Sequence, residues 1–312
     1  EHIETGFDIT GAILSVLAVG GLVLAVQEGP EQGWTATITL IGFVIGIAAT
    51  VGFILVELRR DHPLLDVRLF RNQGLTTGSV NLFVVFALMF ALFLILIQFL
   101  QAILGYTALH AATGLLPMAV MMMPLSTVAP TIAHKIGYRR TVVTGMLTLA
   151  AGLTLLALLA DADRGYLSIL PGLLLIGAGV GLAMSPSTTA ITSSLTEDKQ
   201  GVASALNDTV REIGAAMGLA LIGSILNSRF RTNITDIANT FTPEVGARIK
   251  EGIGGALSSA AQLGPEGQQL VTTARNAYVD AMKPALLVAA ALAFLAAAYT
   301  TWTGHRPGSE SE

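Results

Sequence analysis

The sequence predicts an all-α membrane protein with eight transmembrane helices, and three observations carry that prediction. Of its 312 residues 53% are hydrophobic and only 12% charged, with a mean hydropathy of +0.68, whereas soluble domains carry roughly a quarter charged residues. The apolar residues fall in runs of about twenty, the length that crosses a bilayer as helix. Gly and Pro occur inside these runs, as membrane helices tolerate.

The spacing predicts spans over 11–26, 34–56, 78–100, 112–133, 141–160, 167–186, 203–226 and 284–302. The first is short and needs Ile9 and Thr10 to complete a crossing. Trp34, Tyr106, Tyr166 and Trp302 sit at span ends, where amphipathic rings favour the interface. The loop after the second span carries Arg59, Arg60, Arg68 and Arg71, the loop after the fourth Lys135, Arg139 and Arg140, with Lys199 after the sixth and Arg306 in the tail. The short loops on the other side hold only Arg164. Nine against one predicts cytoplasmic termini. The segment 227–283 holds six further basic residues, but a loop near that length is translocated largely regardless of charge, so it is expected outside. Within it Pro243 and Pro265 each read as opening a helix, with 252–255 between them. A surface cap is the expected role, substrate gating the alternative.

The net charge of −4 decides nothing, because placement around the spans outweighs the total. There are no cysteines, which excludes disulfides, thiolate metal sites and cysteine nucleophiles. No GxSxG, HExxH, Walker-type loop or GxGxxG is present, so no enzyme and no cofactor is expected. The five histidines lack metal-ligand spacing, and the basic residues sit at membrane edges rather than in a nucleic-acid patch. Gly177, Gly179 and Gly181 lie inside a span and predict close helix packing instead of phosphate binding. The chain starts Glu1-His2-Ile3 and reads as the carboxy-terminal part of something longer.

The stretch 201–226 is the most informative. At about 100° per residue, Leu206, Val210, Ile213, Met217 and Ala220 form one apolar stripe. Nearly opposite lie Asn207, Arg211, Gly214 and Gly218, then Asp208, Glu212 and Ala215. Ionisable groups at membrane depth face a bundle interior or a wet cavity. Asp208, Arg211 and Glu212 share about a third of the circumference. They read either as a helix end whose charges snorkel to the interface and pair there, or as a gate or proton-coupling pair.

On the third span Phe83, Phe86, Phe90 and Phe93 form a stripe extended by Gln101, with Gln98 beside it and Asn81 nearly opposite. Such a wall suits a flat apolar ligand, though phenylalanine is as content against lipid. The fourth adds Met118, Met121, Met122 and Met123 beside Pro117, Pro124 and Pro130, suited to a promiscuous pocket or to core packing, with kinks at the prolines. The connection through His134, Lys135, Gly137, Arg139 and Arg140 is short and basic, and turns on a glycine. Positive-inside bias explains its arginines but not that glycine.

Several stretches together resemble the major facilitator superfamily, in particular its fourteen-span drug:proton antiporters. Lys135, Gly137, Arg139 and Arg140 are similar to the second-half copy of the loop signature G-x-x-x-D-R-x-G-R-R, with Pro130 for the first Gly and His134 for the Asp. Residues 7–34 resemble the first of two extra central helices, and 57–71 (ELRRDHPLLDVRLFR) the segment after the second. Residues 201–225 resemble the penultimate-helix pattern G-x-A-S-A-L-x-N-T-x-R-x-I-G, with Asp208 where Asn is usual.

The resemblance implies two inserted spans and a cytoplasmic linker over 1–72, and a six-helix carboxy-terminal transporter half over 73–304. A cytoplasmic tail follows over 305–312. The missing amino-terminal six helices would be the partner across the substrate path. It further implies proton-coupled export of hydrophobic or cationic compounds across a bacterial plasma membrane. Its partners would be the lipid bilayer, the small substrate and protons, with Asp208 and Glu212 as the acids placed for coupling. Export of a lipid or dedicated metabolite on the same fold, or a non-transporting membrane scaffold, are the alternatives.

Overall fold

A computed structural model describes residues 9–59 and 66–303, without the side chains of Asp198 and Glu266. Arg60, Arg306, the start of the stretch at Phe7 and the tail 305–312 lie outside the described residues. Eleven α-helices make up nearly all of the described chain. They are α1 (Ile9–Gln32), α2 (Thr37–Arg59), α3 (Gln73–Gln98), α4 (Ala108–Gly114), α5 (Leu116–Ile136), α6 (Tyr138–Leu159), α7 (Leu170–Ser193), α8 (Gln200–Ala238), α9 (Pro243–Lys250), α10 (Ile253–Gln262) and α11 (Gly267–Thr303). Eight of these elements are long and apolar enough to cross a membrane.

Hydrophobic burial does not drive helices together in lipid, so association rests on close contact of small residues, and the chain supplies them at each seam. In the α1–α2 hairpin a Cβ on Gly21 would lie 2.5 Å from the Gly46 backbone nitrogen, and one on Gly46 2.7 Å from that of Leu22. The glycine run of α7 serves two neighbours. Gly181 packs on the Met122 carbonyl of α5, where a Cβ would come within 2.7 Å, and Gly177 packs on that of Met118. Gly179 between them packs on Gly145 and Leu149 of α6. The expected packing role of this run is thus what the geometry shows.

Helices α3, α5, α6, α7, α8 and α11 form a six-helix bundle in which α7 bridges α5 and α6, and α8 bridges α3 and α11. The α1–α2 hairpin leans on α8 through α1. Leu82, Leu88, Ile95, Leu149, Leu153, Leu173 and Leu286 fill the centre. One end of the bundle gathers the starts of α3 and α6 with the ends of α5 and α7, where Asn72 Nδ2 donates to the Ser194 carbonyl at 3.4 Å. This is the basic end. The other end is covered by α9 and α10 and is the capped end.

Several boundaries differ from expectation. The last span does not start at Pro284 but runs 37 residues from Gly267, with Pro284 inside the helix. A proline at a helix start needs no donor, which is why it reads as one, yet a membrane helix also tolerates it internally. Pro265 opens a single 3-10 turn rather than a helix. Helix α8 likewise continues to Ala238, 39 residues in all. Much of the segment 227–283 is therefore helical extension, held by Phe230 edge-on to Tyr278 at 6.5 Å and by the Tyr278 hydroxyl, which donates to the Ile95 carbonyl at 3.0 Å. The fourth span is also divided: Thr107 Oγ1 caps the short α4, and α5 begins at Leu116.

Candidate transport site

The azimuth of α8 is set by its glycines. A Cβ on Gly214 would lie 2.5 Å from the Phe83 carbonyl oxygen, and one on Gly218 would collide with the Ala87 carbonyl. Small residues thus bring α8 backbone to backbone with α3. Asn207, two turns from Gly214 and three from Gly218 toward the basic end on the same stripe, is carried inward and is only 8% exposed. Its Oδ1 is buried with no partner among the described residues. The Nδ2 lies 3.4 Å from Asp208 Oδ1.

Arg211 stands at the border between the buried and open faces. Its guanidinium carbon lies 4.3 Å from the centroid of the Phe86 ring, and Nη1 lies 3.7 Å from Asp208 Oδ1. The ring faces attract the cation, whereas the ion pair, with side chains 42% and 72% exposed, is open enough to contribute little. Asp208 and Glu212 do not enter the described bundle. They lie on an open strip of α8 with Ala205, Thr209, Ala216 and Leu219, all exposed. The sequence placed Asn207, Asp208, Arg211 and Glu212 on one polar half; the structure divides that half, burying the amide and leaving both carboxylates outside.

Phe86 is buried and stacks with exposed Phe90 at 6.4 Å. Further toward the capped end, a cavity of about 850 Å³ opens between α1, α3, α8 and the cap. Gln98 and Gln101 both line it beside Leu94 and Ile97, whereas Phe83, Phe86, Phe90 and Phe93 of the same stripe do not. The backbone widens to a π turn over Phe99–Ile103 at this point, a distortion that often accompanies functional positions. Met121 and Met122 take no part in it. Both are half-buried, and Met122 packs against the core at the α5–α7 seam.

Sequence reading missed the polar groups that α1 brings to this cavity. Gln27 and Glu31 line it. Glu31 Oε1 accepts from Asn227 Nδ2 at 3.1 Å, and Oε2 from Arg231 Nη2 at 3.5 Å. Across the cavity Glu251 belongs to the cap. Nothing local signals a tie between residues 196 positions apart. At the basic end a second missed feature lies wholly within the bundle. Asn81 Nδ2 donates to Thr300 Oγ1 at 2.7 Å and to the Thr77 carbonyl at 2.8 Å, and Thr300 Oγ1 donates back to Asn81 Oδ1 at 3.1 Å.

His134, Lys135, Arg139 and Arg140 stand around the α5–α6 turn, where Gly137 takes φ 95°. A left-handed backbone there strains any residue with a Cβ, which is the reason for the glycine that charge bias leaves unexplained. Outside the spans, the connection before α7 is pinned by Tyr166, whose hydroxyl donates to the Gly114 carbonyl at 2.6 Å. Burial raises the pKa of that phenol. Asp161 accepts from the backbone N–H groups of Asp163 and Arg164, and these bonds lower its pKa. Among the described residues no group of three or more His, Asp or Glu is placed to hold a metal ion.

A bundle of apolar helices, joined by glycine seams and holding a mainly apolar cavity with a few polar groups, is that of a polytopic membrane protein. The sequence model of the Major Facilitator Superfamily matches residues 4–219, and the chain belongs to that superfamily. It is 30% identical to the tetracenomycin C resistance and export protein of Streptomyces glaucescens over 97% of its own length and 57% of that protein's. It is 30% identical to the multidrug efflux pump LfrA of Mycolicibacterium smegmatis, covering 94% and 58% respectively. With the multidrug resistance protein Stp of Mycobacterium tuberculosis the identity is 29%, covering 91% and 54%. The chain thus spans little more than half the length of these relatives. In fold it is similar to a bacterial homologue of the human lysosomal transporter Spinster, solved inward-facing and unoccupied. The TM-score is 0.57 at 16% identity, covering 96% of this chain and 70% of that one.

Proposed function

We propose that this chain is the carboxy-terminal portion of a secondary transporter that exports hydrophobic, often cationic, compounds in exchange for protons across a bacterial plasma membrane. Residues 73–304 would form one half of the transport unit, and a second helical unit, not contained in residues 1–312, would face it. Residues 1–72 would be the two inserted spans with their cytoplasmic linker, 227–283 an extracytoplasmic cap and 305–312 a cytoplasmic tail. The relatives named for drug resistance and export support the substrate class.

One observation carries the coupling. Asp208 and Glu212 lie exposed on the outside of the bundle, within a helix of membrane-spanning length. Carboxylates facing hydrocarbon are costly, so this strip requires a wet or polar neighbour, which a substrate path between two units supplies. In this reading Asp208 and Glu212 carry the exchanged protons, with Arg211 held over the Phe86 ring beside them. Phe86, Phe90, Gln98 and Gln101 would line the path, with the amides setting orientation.

The test is efflux of a fluorescent lipophilic cation by the full-length protein in proteoliposomes with an imposed pH gradient. Paired Asp208→Asn and Glu212→Gln replacements are expected to abolish gradient-driven efflux while leaving cation binding. Unchanged efflux would overturn the coupling role of Asp208 and Glu212, whereas absence of efflux by the parent protein would leave the scaffold or metabolite-export alternatives.

A further inference from the structure

The basic α5–α6 turn borders a groove of about 1040 Å³ lined by Ala133, His134, Lys135, Gly137, Tyr138, Arg139, Arg140, Val143 and Thr301. Sharing Val143 and Thr301 with it, a second groove of about 460 Å³ continues between α6 and α11, past Leu147, Phe294, Ala297, Ala298 and Trp302. The first is rimmed by cations and the second is almost wholly apolar. From Thr301 to Phe294 the apolar part follows α11 for about 10 Å at about 1.5 Å per residue. Phe294 and Trp302 stand exposed on its sides.

We infer that this pair of grooves binds an anionic phospholipid, with the headgroup phosphate on Lys135, Arg139 and Arg140 and an acyl chain along Leu147, Ala297 and Ala298. Three features point to that occupant. No acid lines either groove, and none among the described residues pairs with Lys135, Arg139 or Arg140. Helix α6 begins here with no side chain capping its first turn, so free backbone N–H groups and the positive helix end add to the cationic field. The apolar extension then separates a lipid from a soluble phosphate, because only the lipid has a tail to fill it. Basic pockets between helices on the cytoplasmic side suit anionic headgroups, and the distribution of Lys and Arg predicts that leaflet for this end. Positive-inside bias alone would leave the charges without a groove. No residue of α8 lines the site, so the inference stands apart from the coupling proposal.

Native mass spectrometry of the full-length protein released from mixed phosphatidylglycerol and phosphatidylcholine nanodiscs tests it. Phosphatidylglycerol is expected to be retained preferentially. Replacing Lys135, Arg139 and Arg140 by Gln should weaken retention by about fivefold per charge removed. Ala298→Trp, which fills the apolar groove and leaves every charge in place, should also weaken retention of phosphatidylglycerol. It should leave binding of soluble glycerol phosphate unchanged. If the triple variant does not accumulate, Lys135→Gln alone and Ala298→Trp decide the matter. Equal retention of both lipids by the parent protein, or undiminished phosphatidylglycerol on Ala298→Trp, would overturn the assignment.

Discussion

At the scale of single residues, the buried polar pairs are where small changes cost most. Asn81 and Thr300 are both fully buried and exchange two hydrogen bonds. Thr300→Val would leave the amide with unmet groups in a dry interior, at a cost of about 1–3 kcal/mol. Thermal unfolding in detergent should show the loss, and the double change Asn81→Leu with Thr300→Val should recover part of it. Phe86→Leu removes the ring beneath Arg211, worth about 0.5–1 kcal/mol at a half-open site; a double-mutant cycle with Arg211→Gln measures that coupling. The same scale shows what sequence periodicity can and cannot resolve. Asn207 and Asp208 are neighbours on the polar half of the helical wheel, and the edge of the buried face falls between them. Residue type alone does not place that edge, because it is the α3 backbone against Gly214 and Gly218 that fixes it.

At the scale of elements, the glycine seams set distances and therefore rotations. Gly218→Leu puts a side chain where the Ala87 carbonyl already sits, and overpacking of that kind typically costs about 1–3 kcal/mol. Reduced yield and a lower melting temperature are expected, along with a change in the exposure of Asp208 as α8 rolls. Gly20→Ala meets nothing within contact range and serves as the neutral control. The spans themselves were legible because each carries a long apolar window. The extensions of α8 and α11 were not, since beyond the bilayer a helix advertises itself only through weak amphipathicity, and Pro284 supplied a false start signal. The tie from Glu31 to Asn227 and Arg231 was invisible for a different reason: it links elements that only the folded chain brings together.

At the scale of the whole molecule, the strip of α8 that carries the carboxylates lies open on the outside of the described bundle. The chain has no cysteine, so a single cysteine at Ala205 or Thr209 reports on that strip without background. With the protein in proteoliposomes, a membrane-impermeant maleimide is expected to label these positions, with rates that change when the fluorescent cation is added. Complete protection of both positions, with and without substrate, would remove the basis for coupling through Asp208. The all-helical architecture with its eight spans was readable in advance. The contribution of α1 to the cavity was not, because a helix read as an insertion gave no hint that its Gln27 and Glu31 line the same space.

Helix α8 runs unbroken for 39 residues, about 58 Å at 1.5 Å per residue, whereas the hydrocarbon layer is only about 30 Å thick. With no proline and no interruption along it, the rod cannot bend freely at the membrane surface. Any tilt at the depth of Asp208 must swing the far tip near Ala238, by about 5 Å for a rotation of about 10° around the midpoint of such a rod. A spectroscopic label on the cap would therefore report events at the opposite membrane face without touching the transport path.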